Sequence, residues 1–498
     1  MLSAFGIVNY LSKVPSDLRK LKEMEQKLIQ NNFNFERPTL VLSEVVLAYL
    51  STNYSSAVIN WVSKSIPNSI FVEFEQFQTD TTFSSVMTDH FIRLGSPLKT
   101  IFDLPNISDR RERLEKAGFK RIQLFPMMDI ELVMRDLEPF DEYEALHAVL
   151  KHYYLGMSCQ TDENNALITE IIAKLNIRQR NYPLADYKWK YVSKNGENTR
   201  RSFHSTIFND KEVLVFGGFG SDTDEGAHKK LTSSVKMDQN GSLTTTDGMT
   251  FEAVSPVTLS FTNGTILVYG GRKSPYKVNL EYKQLNSDTK INLPENLIGS
   301  YRTAVCSIGP DNFIQFGGRG NPKGSFSSSL FEIKLVGNEI IGTEIEPIDN
   351  NSLPHLASST ATFVDGKIWI VGGLFENGSI SNMVFKVEIQ SQRYKIVDTF
   401  TLKFGIYGHT ADVHNSNGIV ICGGISDISY DDDYIIIITN DNECSIERIR
   451  FGEERCLMHG HSMIKRGDRI EIIGGGNNCF SFGTHLNPLQ TLIERIQN

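Results

Sequence analysis

The chain has 498 residues and a formal net charge of −9, which at roughly 100–200 residues per domain is too long for one hydrophobic core and implies two compact units. Hydrophobic residues at 40% and charged residues at 22% exclude wholesale disorder. The acidic balance excludes a chain-wide electrostatic grip on nucleic acid, which depends on Lys and Arg neutralising phosphates. No run of 18 apolar residues is present, and Met1–Val8 lacks the basic start and small-residue cleavage site of a leader, so the expectation is a cytoplasmic protein without a membrane segment.

The N-terminal third alternates helical and strand patterns. Pro15 and Ser16 precede a helix with Leu18, Leu21 and Leu28 at helical spacing. The near-continuous apolar run Thr39–Leu42 predicts a strand buried on both faces. A helix around Ser55–Ser65, a strand at Ser69–Phe74 and a helix near Ser84–Leu94 follow. After them come a helix at Asp109–Ala117, a strand at Arg121–Phe125 and a helix beginning at Asp141. This is the order of a doubly wound α/β domain. Arg110, Arg111, Arg113, Lys116, Lys120 and Arg121 gather enough positive charge for a local phosphate-binding patch. They alternate with Glu112 and Glu115, so the pattern predicts an exposed helix face with internal ion pairs.

The rest of the chain repeats. A Gly-Gly doublet follows a short β-rich apolar run six times, as EVLVFGG, TILVYGG, NFIQFGG, KIWIVGG, GIVICGG and RIEIIGG. The first glycines, Gly217, Gly270, Gly317, Gly372, Gly423 and Gly474, lie 53, 47, 55, 51 and 51 residues apart, close to the ~50-residue kelch period. Turn pairs such as Asn263-Gly264 and Asp365-Gly366 precede the runs and suit tight hairpins. Each unit therefore predicts one multi-stranded blade, and ring closure buries the faces a lone blade would expose. The doublets are expected to let backbones crowd, a structural role. Arg200, Arg201, His204, Arg302, His409, His459 and His461 recur near blade strands. They suit either a polar mouth that binds a partner or residues that bridge blades or meet solvent, and the second reading is the expectation. The acidic run Asp431–Asp433 has no ligand spacing beyond adjacency and predicts a solvated loop. Cys159, Cys306, Cys422, Cys444, Cys456 and Cys479 lie far apart with no Cys-x-x-Cys pair, so reduced, mostly buried thiols and no metal site are expected.

Several segments carry a resemblance. SDLRKL (Ser16–Leu21), RPTLVLSEVVLAYL (Arg37–Leu50), FVEFEQ (Phe71–Gln76), RERLEKAGF (Arg111–Phe119), LEPFDEYE (Leu137–Glu144) and HYYLGMS (His152–Ser158) together resemble the leucine carboxyl methyltransferase family over residues 15–158. GGGNNCFSFGTHLNP (Gly474–Pro488) is similar to the end of that family's kelch-fused branch. The resemblance implies an α/β partial Rossmann-like methyltransferase domain followed by an all-β six-bladed kelch-type propeller. The expected division is 1–158 for the C-terminal portion of the methyltransferase domain, 159–185 for a linker carrying a helix and 186–498 for the propeller.

The implied activity is methyl transfer from S-adenosylmethionine to a carboxylate. In the kelch-fused branch the acceptor is a hypermodified guanosine of phenylalanine tRNA, and a methoxycarbonyl group is also added, in the last step of wybutosine synthesis. A carboxylate acceptor is already ionised at neutral pH, so no general base is required, and positioning supplies most of the rate. By the same resemblance Asp17 and Leu18 touch the cofactor's adenine and Glu44 is a further cofactor contact. No catalytic residue is assigned. The family places a Gly-rich loop, an acidic residue and an Arg ahead of the DLR segment, whereas 16 residues precede Asp17 here, with one glycine, Gly6. The expectation is a chain that, as written, binds the cofactor feebly or not at all and is inactive. Two other functions fit: a non-catalytic kelch interaction protein with a vestigial methyltransferase half, and a methyltransferase for protein C-terminal leucine carboxyls, against which the kelch fusion argues.

Overall fold

The computed structural model describes residues 13–78, 81–130, 142–175, 177, 185–196, 199–209, 212–221, 223, 228–238, 240–246, 251–274, 277–320, 325–428, 433–451, 456–479 and 482–497. The chain forms two compact units, Met1–Glu131 with Val149–Arg180, and Leu132–Ala148 with Asn181–Asn498. Among the described residues no helix is long and apolar enough to cross a membrane.

The first unit is an α/β layer. Its elements are α1 (Leu21–Gln30), β1 (Thr39–Glu44), α2 (Thr52–Ser65), β2 (Ser69–Gln76), α3 (Thr82–Arg93), α4 (Ile107–Ala117), β3 (Arg121–Pro126), the end of α5 (Tyr143–Lys151), β4 (Tyr153–Cys159) and α6 (Asp162–Lys174). The sheet order is β1-β2-β4-β3. β1 runs parallel to β2 in the register Thr39↔Ser69 to Glu44↔Phe74, and β4 is antiparallel to both β2 and β3. Phe71, Ile59, Leu114 and Tyr154 form the core beneath α2 and α4. The helix expected from Ser16 starts at Leu21, because Asp17 instead closes a turn on Arg19 and Lys20. The expected start of the last helix at Asp141 lies outside the described residues.

Two expectations are overturned here. β1 is an edge strand covered on one face: Val41 packs onto the core while Leu40 and Leu42, on the other face, are 68% and 62% exposed. The basic cluster is not one solvated face either. A spacing of three residues turns Arg110 and Arg113 inward, where Arg110 donates to the Gln76 carbonyl at 3.1 Å and Arg113 pairs with Glu73 at 3.1 Å. Lys116 pairs with Glu112, and Arg121 with Asp162.

Among the described residues the second unit shows six blades. Their inner strands are Ser205–Phe208, Val257–Ser260, Ala304–Gly309, Thr360–Val364, Thr410–His414 and His461–Arg466, each antiparallel to the strand that leads into a Gly-Gly doublet. β5 (Tyr187–Asn195) closes the ring: it pairs antiparallel with the C-terminal strand Gln490–Arg495 and so completes the sixth blade.

All twelve doublet glycines have φ between 58° and 110°. In every doublet the second glycine donates its N–H to a carbonyl of the next blade: Gly218 to Ala253, Gly271 to Ser300, Gly318 to Leu356, Gly373 to Ile406, Gly424 to Met458 and, closing the ring, Gly475 to Arg201, at 2.7–3.2 Å. The first glycine makes that approach possible, since a Cβ on Gly372 would lie 2.2 Å from the Ile406 carbonyl oxygen. A second ring lies one step away. Phe203, Ser255, Arg302, Ser358, Gly408 and Gly460 all adopt φ of 53–63°, each just ahead of its inner strand. Phe203 donates to the Gly460 carbonyl, Ser255 to Phe203, Ser358 to Arg302 and Gly408 to Ser358.

Two of the recurring histidines, His409 and His461, bridge blades. His409 Nε2 meets the Thr360 hydroxyl at 2.9 Å and His461 Nε2 the Thr410 hydroxyl at 2.7 Å, each across to the preceding blade. Arg201 donates to the Gly217 and Ser233 carbonyls. Arg302 forms a buried ion pair with Glu144, a residue of the segment clustered with this unit. Asp431 and Asp432 lie outside the described residues, and Asp433 pairs with Arg448 at 2.9 Å.

Candidate active site

In an open sheet with parallel strands, ligands meet the carboxyl ends of those strands. Here that end of β1 carries Glu44, exposed and followed by an irregular turn. Val45 sits in the left-handed region at φ 51°, unusual for a β-branched residue, and donates its N–H to the Phe74 carbonyl at 2.8 Å. A short 3-10 turn, Leu47–Tyr49, follows and leads into α2.

The turn is fastened from below. Glu75, on the neighbouring strand and fully buried, accepts the backbone N–H groups of Val46 at 3.1 Å and Leu47 at 2.9 Å on Oε1, and of Ala48 at 3.0 Å on Oε2. The Ser43 hydroxyl adds a longer contact to Oε1 at 3.4 Å. Successive amides turned to one side by a left-handed residue form a concavity for an anion, and a carboxylate of the same chain fills it. Burial pushes the Glu75 carboxyl up to about 7, against the pull of the Leu47 N–H. Around it lie Glu73, Arg110, Arg113 and the buried Tyr154, whose phenol burial pushes well up.

Asp17 and Leu18 sit in the turn ahead of α1. Asp17 takes the Arg19 guanidinium on both oxygens, Nε to Oδ1 at 2.9 Å and Nη2 to Oδ2 at 2.8 Å, and the Arg19 N–H at 2.9 Å. These bonds hold its carboxyl down to about 2. Leu18 packs at the margin of the cluster formed by Leu47, Ile59 and Phe71. Leu47, from the turn that follows Glu44, is buried within that same cluster.

Sequence reasoning passed over Glu75. The signal was present in FVEFEQ: Glu73 and Glu75 are two apart on an otherwise apolar strand, so they share one face, and the i,i+3 pair Arg110 and Arg113 supplies opposite charges from α4.

Residues 4–63 match the family model for leucine carboxyl methyltransferase, and residues 255–489 match that for the β-propeller of tRNA wybutosine-synthesizing protein 4. The tRNA wybutosine-synthesizing protein 4 of Homo sapiens is 26% identical over 527 residues, taking in 95% of this chain and 75% of that protein. Its counterpart in Rattus norvegicus is 25% identical with the same coverage of both chains. Leucine carboxyl methyltransferase 1 of Rattus norvegicus is 29% identical over 150 residues, 28% of this chain and 45% of that protein.

Proposed function

We propose that the chain is a member of the leucine carboxyl methyltransferase family in its kelch-fused branch, and that it is an S-adenosylmethionine-dependent carboxyl methyltransferase acting in the last step of wybutosine synthesis. The observation that carries this reading is the joining, in one chain, of a methyltransferase match with a propeller match of the wybutosine type, aligned with such proteins over 95% of its length. The substrate is phenylalanine tRNA, the transferred groups are methyl and methoxycarbonyl, and the compartment is the cytoplasm.

The residues present fit the nucleoside end of the cofactor. Glu44 offers an exposed carboxylate at the carboxyl end of β1, and the half-buried Leu18 offers an apolar flank. Asp17, pre-set by Arg19, keeps lone pairs for a second donor. Asp17, Leu18 and Glu44 are the proposed cofactor contacts, and bound cofactor would supply the electrophilic methyl group. An ionised acceptor needs no base, so the chain's task is to hold the acceptor oxygen in line and exclude water.

Titration calorimetry of S-adenosylmethionine against residues 1–498 tests the reading. Binding that weakens about ten-fold in Glu44→Gln, the loss of one charge-assisted hydrogen bond, is the expected result. Binding indifferent to Glu44→Gln removes that residue from the site. Absence of binding by a chain that still captures phenylalanine tRNA overturns the enzymatic reading in favour of an interaction protein.

A further inference from the structure

We propose that Glu75 is a positioning residue for the cofactor: seated in the amides of Val46, Leu47 and Ala48, its carboxylate sets the turn that carries Glu44, and the strength of that seat follows its protonation. The proposal rests on the reading of Glu44 as a cofactor contact.

Three features of the geometry point the same way. First, the turn does not hold itself. Val45 occupies a left-handed conformation that costs a β-branched residue free energy, and such a conformation persists only where the surroundings impose it. Three convergent amides on one carboxylate are that imposition. Second, the carboxylate is placed from a different strand, so the turn at the end of β1 is fixed to β2 rather than to its own sequence neighbours. Third, Glu75 spends both oxygens on this turn, whereas its neighbour Glu73 is matched to Arg113. The amide seat is what Glu75 is buried for.

Protonation changes the seat because a carboxylate accepts on both oxygens, whereas a carboxylic acid turns one of them into a donor. A donor facing the Ala48 N–H, or the Val46 and Leu47 pair, removes an acceptor from a buried amide. The ionisable groups that act on Glu75 are Glu73 from β2, Arg110 and Arg113 from α4, Tyr154 from β4 and Tyr49 from the turn itself. Burial opposes its charge and the two arginines favour it. The balance places its titration in the neutral range.

Hydrogen exchange of the Val46, Leu47 and Ala48 amides in the full chain tests the proposal without cofactor, with the α2 amides of Val58, Ile59 and Val62 as internal reference. After correction for intrinsic exchange, protection of the three amides is expected to fall as pH drops from about 8 to about 6, with a midpoint near 7. In Glu75→Gln they should exchange about ten-fold faster at the higher pH, with a flat profile, while α2 is unchanged. Exchange within two-fold of the unaltered chain, or equal acceleration in α2, overturns the proposal. Calorimetry of S-adenosylmethionine separates it from the underlying reading: both Glu44→Gln and Glu75→Gln should weaken binding at about pH 8. Weakening in Glu44→Gln alone overturns the positioning role and leaves Glu44 in the site. Weakening in neither sinks both.

Discussion

The propeller and the α/β unit answer the same physical demands in opposite ways. In the propeller each device is used six times: the second glycine of a pair donates its N–H to the next blade's carbonyl, and a residue in the left-handed region opens each inner strand. Repetition turns groups that look chemically suggestive into joinery, and His409 and His461 are spent on threonines of the preceding blade. In the α/β unit the corresponding irregularities follow no repeat: among the described residues the left-handed non-glycines are Asn32, Val45 and Gln78, and Val45 stands next to Glu44 in the turn that Glu75 holds from the neighbouring strand. A strained residue repeated in every blade belongs to architecture. One that belongs to no repeat and sits at the carboxyl end of a parallel strand is a candidate for function.

Acid should pull the two regions apart, and this is the largest effect expected. His204, His409 and His461 are buried, and burial holds each ring down to about 3. A depressed folded pKa contributes stability that is complete above the unfolded value near 6.5 and is lost as pH falls toward 3, about 2 kcal/mol per ring by pH 5. Glu75 has the opposite sign. Its raised pKa, about 7 against 4.5, makes its contribution greatest below the unfolded value and erodes it as pH rises through 7, by about 2–3 kcal/mol. Urea unfolding at pH 8, 6.5 and 5 should therefore show the propeller losing stability toward pH 5 while this one group favours the α/β unit. Trp61 reports the α/β unit, and Trp189 with Trp369 the propeller. A propeller midpoint that holds steady from pH 8 to 5 would break the comparison.

Glycine substitution sharpens it next. Gly372→Ala places a Cβ at φ 59° and 2.2 Å from the Ile406 carbonyl oxygen, so a blade must shift, at a cost of about 3 kcal/mol or more. Gly366→Ala, at φ 74° in the open hairpin turn of the same blade, pays only the backbone term of about 1–2 kcal/mol. The gap between the two, read as unfolding midpoints, measures the inter-blade contact alone. Equal losses would mean that crowding at the doublet is relieved by backbone movement.

What was legible in the sequence follows the same division. Six doublets at a near-constant period announced the blades because the constraint they satisfy is local and repeated. The order of helices and strands in the α/β unit was legible too, since each element carries its own periodicity. Relations between elements distant in sequence were not. Arg110 and Arg113 read as surface charge because their partners, Glu73 and the Gln76 carbonyl, lie on a strand more than thirty residues earlier. Glu75 was silent because the amides it holds belong to the end of another strand. The closing of the sixth blade by Tyr187–Asn195 depends on a partner at the opposite end of the propeller.

The smallest expected effect concerns β1, where apolar residues in an unbroken run predicted burial on both faces. Parallel strands read that way when helices cover both sides of a sheet, but period-two alternation divides the run: Val41 and Ser43 face the core, while Leu40 and Leu42 face solvent. Leu42→Lys should therefore change the stability of residues 1–498 by no more than about 0.5 kcal/mol, the ordinary range for a surface site. Val41→Lys, one residue away on the inward face, places an unpaired charge against the core and should cost several times more. A loss of about 2 kcal/mol or more from Leu42→Lys in chemical unfolding would mean that the second face is covered in solution. The contrast with Val41 would then vanish, and the unbroken apolar run would after all be the signature of a strand buried on both sides.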